Sequence, residues 1–89
     1  MPEVESWMEG IERSKRKRKK AEEIARRHGA KGFSIPTYTN FILELWNDKK
    51  RGTLTKEEWA NKVLAKYRKT SEKVYNDLIK IVRDLGYIK

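Results

Sequence analysis

The chain has no cysteine, which removes disulfides, thiolate catalysis and sulfur-ligated zinc together. It has one histidine, His28, so a histidine-based metal or acid–base site has little to build on. No apolar run approaches the ~18 residues of a membrane-spanning helix. The acidic start Met1-Pro2-Glu3 lacks the apolar segment of a signal peptide. No Gly-rich phosphate loop, nucleophile elbow or suitably placed carboxylate pair can be read, and there is no internal repeat. These absences predict a protein that is not an enzyme, holds no cofactor or metal and has no membrane partner. Its expected location is the cytoplasm, or the nucleoid if the cell is prokaryotic.

What the chain does have is positive charge. Its 89 residues carry 22 Lys/Arg against 13 Asp/Glu, a net charge of +9, and the pI is near 9.9. A short chain this basic seeks polyanions, and nucleic acid is the commonest one inside cells. Heat-stable proteins also carry dense surface charge, but there acids and bases interleave, and 13 acids do not balance these bases. Hydrophobic residues make up 37% and charged residues 39%. The length suits one modestly stable core, drawn mainly from the aromatic-rich second half.

Residues 3–28 show Val4, Trp7, Met8 and Ile11, then Ala21, Ile24, Ala25 and His28, at helical spacing. Between them lies Arg13-Ser14-Lys15-Arg16-Lys17-Arg18-Lys19-Lys20, seven bases in eight residues. Gly10 weakens a helix by ~1 kcal/mol, so the segment is either one long helix or two. Arg26, Arg27 and His28 in the last turn and Gly29 behind them mark its end. Phe33-Ser34-Ile35 reads as a very short strand. Pro36 then prepares a helix over about 37–50, with Tyr38, Phe41, Ile42, Leu45 and Trp46 forming the chain's strongest apolar stripe. Cations and Gly52 end it.

Thr55-Lys56-Glu57-Glu58 is a capping box, in which Thr55 caps and Glu58 reaches back to the Thr55 amide. Leu54 and Trp59 occupy the positions of a hydrophobic staple. The helix that follows should run from Lys56 to about Tyr67, burying Trp59, Val63 and Leu64. Thr70 or Ser71 caps a last helix reaching about Leu85, with Val74, Leu78, Ile81, Val82 and Leu85 on one face. At 100° per residue the opposite face carries Glu72, Asn76, Ile79, Lys80 and Arg83, with Lys73 at its border. Gly86 ends this helix, and Tyr87-Ile88 can form a short strand.

The order Thr55…Glu58-Trp59-Ala60…Val63-Leu64, then Val74…Leu78…Ile81…Leu85-Gly86-Tyr87-Ile88, resembles the winged helix-turn-helix superfamily, including MarR-like regulators. The likeness covers about 35 residues directly, and the Tyr38–Trp46 helix fits as the first of three. It implies an all-α fold: a tri-helical helix-turn-helix core over 33–89 and an added basic N-terminal helix with its connector over 1–32. The stretch from Ala65 to Lys73 is longer than the family's tight turn and lacks its glycine. Lys89 stands where a wing hairpin would begin, so a minimal wing or none is expected.

By this resemblance the last helix would enter the major groove of duplex DNA. Lys69, Thr70, Ser71 and Lys73 lie at its N-terminus, where amides and the helix dipole favour phosphate. Asn76, one turn on, has the paired groups that read adenine. Lys73 and Asn76 would meet base edges, and Lys69, Lys80 and Arg83 would meet phosphates. Lys15, Arg16, Lys17, Arg18, Lys19 and Lys20 would add phosphate contacts, although they spread around too much of the helix to touch one backbone together. Against this stands an ordinary solvated face, supported by Glu72 and Asp77. Tyr38, Tyr67, Tyr75 and Tyr87 lie among bases and could stack on nucleobases, but their spacing follows the buried stripes.

The expected function is a small DNA-binding protein, a transcription regulator. The rivals are a structural RNA-binding component of a ribonucleoprotein and an accessory subunit of a replication or transcription complex. The stripe Val4, Trp7, Met8 and Ile11 either folds onto the core or pairs with another chain, as in a homodimer.

Overall fold

The structure is a computed structural model that describes the backbone of residues 2–89 and the side chains of residues 14–89. It is all-helical among these residues: α1 (Pro2–Arg27), α2 (Ser34–Leu45), the single-turn α3 (Asp48–Arg51), α4 (Lys56–Ala65) and α5 (Glu72–Asp84). The side chains of Val4, Trp7, Met8 and Ile11, and the choice between core packing and dimerisation that rests on them, lie outside the described residues.

Helix ends follow local chemistry. At the end of α1 the Ala30 amide bonds the Ala25 carbonyl and the Gly29 amide bonds the Arg26 carbonyl. This double closure needs a left-handed residue, which Gly29 supplies at φ 95°. The same pair of bonds closes α5, from Tyr87 to Val82 and from Gly86 to Arg83. The Thr55 capping box is complete, with both bonds at 3.1 Å. The Thr55 amide donating to the Glu58 carboxylate, helped by the adjacent Thr55 hydroxyl, holds that acid below the usual range. Ser71, rather than Thr70, caps α5 by accepting from the Val74 amide. Thr70 instead donates its hydroxyl to the Tyr67 carbonyl at 2.6 Å.

Four expectations are corrected. The helix expected over 37–50 is two helices, because Asn47 leaves helical geometry and its Oδ1 caps α3 by accepting from Lys50. Phe33-Ser34-Ile35 is not a strand: the Ser34 hydroxyl and the Lys31 backbone exchange two hydrogen bonds and start α2 at Ser34. Pro36 falls in that first turn, where a missing amide costs nothing. Tyr87-Ile88 has no strand to pair with among the described residues. Trp46, grouped with the core by its spacing, is only half-buried, because it sits at the break. In addition α4 ends at Ala65, two residues early, where Lys66 to Lys69 turn away.

The core is continuous. Tyr38, Phe41, Ile42 and Leu45 of α2 meet Trp59, Ala60, Val63 and Leu64 of α4 and Leu78, Ile81 and Val82 of α5. From the other side Ala21 and Ala25 of α1 join the same cluster. Helix α2 is therefore central, touching α1, α4 and α5. Its C-terminus gathers donors from three directions. The Leu45 carbonyl accepts from Trp59 Nε1 at 3.1 Å and from Tyr87 Oη at 3.0 Å, and the Trp46 carbonyl accepts from Lys17 Nζ at 3.4 Å. Phe41 packs edge-to-face on Tyr67, ring centroids 5.1 Å apart, and Glu44 pairs with Lys66. These two contacts hold the α4–α5 turn against α2.

Two predictions follow from local energetics. Thr55→Ala removes one capping acceptor and should cost about 1 kcal/mol. At this chain length that lowers Tm by roughly 4–8 °C, measurable by circular dichroism. The second concerns alkali. Burial, then the hydrogen bond to Asp77 and its charge, push the Tyr38 phenol well up. Burial and then the Glu44 charge do the same for Tyr67. For Tyr87, burial and then Asp48 raise it against an opposing Arg51. The fold thus favours the neutral phenols. Their contribution is full below pH ~10, the ordinary phenol value, and is lost as pH rises, because the unfolded chain releases these protons more readily. Thermal melts should show Tm falling as pH rises above about 10, less steeply in Tyr38→Phe than in the parent. Identical slopes would remove Tyr38 as a cause.

Candidate nucleic-acid interface

The basic run sits on α1, and the packing of that helix sorts its charges. Ala21, Ala25 and the half-buried Ile24 and His28 define the inward face. At 100° per residue Lys17 falls on that face and Arg18 at its edge. Lys17 reaches the Trp46 carbonyl, and Arg18 pairs with Glu22 at 3.6 Å. Lys15, Arg16, Lys19 and Lys20 point outward and are exposed, and so are Arg26 and Arg27 two turns further on. The outward stripe therefore holds six cations and one acid, Glu23. Arg26 and Arg27 were read from sequence only as helix-end charges. The same 100° count that places Lys19 also places them on this face.

On α5 the residues Glu72, Lys73, Asn76, Lys80 and Arg83 are exposed, while Ile79 is half-buried against the core. Lys69 and Ser71 are exposed and Thr70 is half-buried, in the turn leading into the helix. Two acids border this face, and both are engaged. Asp77 accepts from the Tyr38 hydroxyl at 2.5 Å, and Asp84 lies 2.9 Å from His28 Nε2. Thus His28, expected to act as a helix-end cation, also ties the end of α1 to the end of α5. Lys69, Lys73, Lys80 and Arg83 form no ion pair among the described residues.

The acids as a group show the same division of labour. From Glu22 onward the chain has nine, and six are bound within the fold. Glu22, Glu44, Asp48 and Asp84 take Arg18, Lys66, Arg51 and His28, Glu58 completes its cap and Asp77 holds Tyr38. On the outer faces of α1 and α5 exposed cations outnumber exposed acids, six to one on α1 and, with Lys69, four to one on α5. Exposed charges of one sign raise the local concentration of anions and steer their approach.

Of the tyrosines considered for stacking, Tyr38 is buried and Tyr67 packs on Phe41. Tyr87 donates to Leu45 and lies under Lys56, whose Nζ is 5.7 Å from the ring centroid. Tyr75 is half-buried against the core. The one fully exposed large apolar side chain among the described residues is Phe33, in the α1–α2 connection. Sequence reasoning placed it in a strand and missed it.

Among the described residues no cluster of His, Asp and Glu is placed to hold a metal ion, and no helix is long and apolar enough to cross a membrane. Compared with known proteins, the chain matches no family model, no curated protein and no solved structure.

The seat of α1 decides where the basic stripe points, and small residues make that seat. Ala25 has no exposed surface, so Ala25→Leu overpacks the α1–α2 seam at a cost of about 1–3 kcal/mol. Lys19→Ala, on the outward face, should stay within about 0.5 kcal/mol. Chemical denaturation of the two variants reads the contrast, and equal stabilities would contradict this packing of α1.

Proposed function

We propose that the protein binds duplex nucleic acid, with DNA preferred, as a small helix-turn-helix regulator in which α5 reads the groove and α1 supplies phosphate contacts. The observation that carries the reading is the pair of exposed basic faces, the α1 stripe and the outer face of α5, on each of which cations outnumber acids. The succession of α2, α4 and α5 around one core supports assigning α4 and α5 as the helix pair of a helix-turn-helix. The intervening segment, 66–71, is longer than a tight turn but is held to α2 by Tyr67 and Lys66. Lys73 and Asn76 are the base-reading candidates, with Lys69, Lys80 and Arg83 on phosphates. The Thr70 hydroxyl is committed to Tyr67 and the Ser71 hydroxyl to its cap, so these two would serve through their backbone amides.

A second reading draws on α1 alone. Its outward stripe offers charge without base-reading groups, which suits RNA in a ribonucleoprotein as well as DNA. Binding measurements over a salt series separate the two. For a DNA reader, Asn76→Ala or Lys73→Ala should cost roughly 5- to 150-fold on a selected duplex, the equivalent of about 1–3 kcal/mol, with little change on random duplex. Lys19→Ala should weaken every duplex alike and reduce the log–log salt slope by about 0.9. Equal losses on all sequences from both sets would sink the specific-reader assignment. Tighter binding to structured RNA than to any duplex DNA would favour the second reading.

A further inference from the structure

We infer that Phe33 is a base-stacking residue, so that the turn between α1 and α2 takes an unpaired or unstacked nucleobase while neighbouring cations hold the flanking phosphates. The inference rests on the nucleic-acid reading above and names a second contact surface within it. Phe33 is exposed to 101% of its reference area, so it contributes no packing to the fold. It precedes the first turn of α2, with helical backbone angles of its own and Gly32 before it at φ 53°. Two hydrogen bonds between Lys31 and Ser34 brace the turn at 2.8 and 2.9 Å. The ring is thus carried on an ordered backbone, with both faces open.

The surroundings select the partner. Between Glu23 and Glu44 the chain has no acid, while Arg26, Arg27 and Lys31 are all exposed. The acids that approach from α5, Asp84 and Asp77, are occupied by His28 and Tyr38. An exposed aromatic ring in a segment whose exposed charges, Arg26, Arg27 and Lys31, are all positive fits a ligand that is both polyanionic and aromatic. Every nucleobase offers a π-face whatever its identity, and aromatic–base stacking contributes about 1–3 kcal/mol per base. An anionic lipid surface would need a broader apolar face than one ring, and no other large apolar side chain among the described residues is fully exposed.

The test uses the full chain, fluorescein-labelled oligothymidylate and a labelled duplex, read by anisotropy. Phe33→Ala should lose roughly 5- to 150-fold on the single strand and much less on the duplex, while Phe33→Trp retains affinity and both variants melt like the parent. Unchanged single-strand affinity in Phe33→Ala overturns the stacking role and leaves the nucleic-acid reading standing. If the parent binds neither probe and no RNA, that reading fails and this inference with it. If Phe33→Ala instead abolishes capture by phosphatidylserine vesicles while DNA binding is unchanged, the ring is a membrane contact and the inference is wrong.

Discussion

The carbonyl of Leu45 is the junction on which the packing depends. A helix leaves its last carbonyls without amide partners, and α2 ends where those carbonyls face other elements rather than water. Had the helix continued through residue 50, the Lys49 amide would have closed on Leu45. The break at Asn47 frees that oxygen instead, and both its lone pairs are used, by Trp59 of α4 and by Tyr87 after α5. One residue on, Lys17 of α1 reaches the Trp46 carbonyl. A cation there also suits the negative end of the helix dipole. Each donor lies far from Leu45 or Trp46 in sequence, so one helix end fixes three other segments. An unsatisfied buried carbonyl costs about 1–3 kcal/mol, comparable with burying one large aliphatic side chain, and the arrangement is correspondingly hard to loosen at one point only.

Charge works against this compactness. A net charge of +9 on 89 residues repels itself. Only part of the repulsion is offset locally, by Glu44 with Lys66, Glu22 with Arg18 and Asp48 with Arg51. Exposed pairs of this kind contribute little individually. Two of them lie within a helix and one joins α2 to the α4–α5 turn, and the outer faces of α1 and α5 remain positive. Any polyanion that binds the folded chain preferentially also stabilises it by mass action, so self-repulsion and ligand binding are two sides of one charge distribution.

Much of the architecture was legible because it is written in local chemistry. The Thr55–Glu58 box, the glycines at 29, 52 and 86, and the Tyr38–Leu45 and Val74–Leu85 stripes each determine a cap or a face within one or two turns. The misread segments depend on long-range partners. Trp46-Asn47-Asp48 keeps the helical period, and only the competition between a capping Asn47 and a continued helix breaks it. Tyr87 resembles a strand residue until its hydroxyl finds Leu45, 42 residues away. On α1 the helical count was enough to turn Arg26 and Arg27 outward with Lys19. The inward reach of Lys17, by contrast, required knowing where α2 ends. The exposure of Phe33 was invisible for the same reason: a short apolar alternation looks alike whether it pairs in a sheet or stands in solvent.

The two basic faces are carried by helices that share one core, and that bears on how they would act together. A basic tail attached by a flexible linker pays ordering entropy when it binds, about 1–2 kcal/mol per backbone residue fixed. From Ala21 to Ala25, α1 is already ordered against α2, and its end is joined to α5 through His28–Asp84, while Tyr38–Asp77 joins α2 to α5. On the proposed reading the stripe and the α5 face would therefore meet a ligand in the relative geometry that these contacts set. On the proposed reading this raises the affinity of a partner whose phosphates match that geometry and gives little to one whose phosphates do not, so the α1 charges would contribute to shape selection without touching a base. A disordered run of the same composition could supply charge, but not that discrimination.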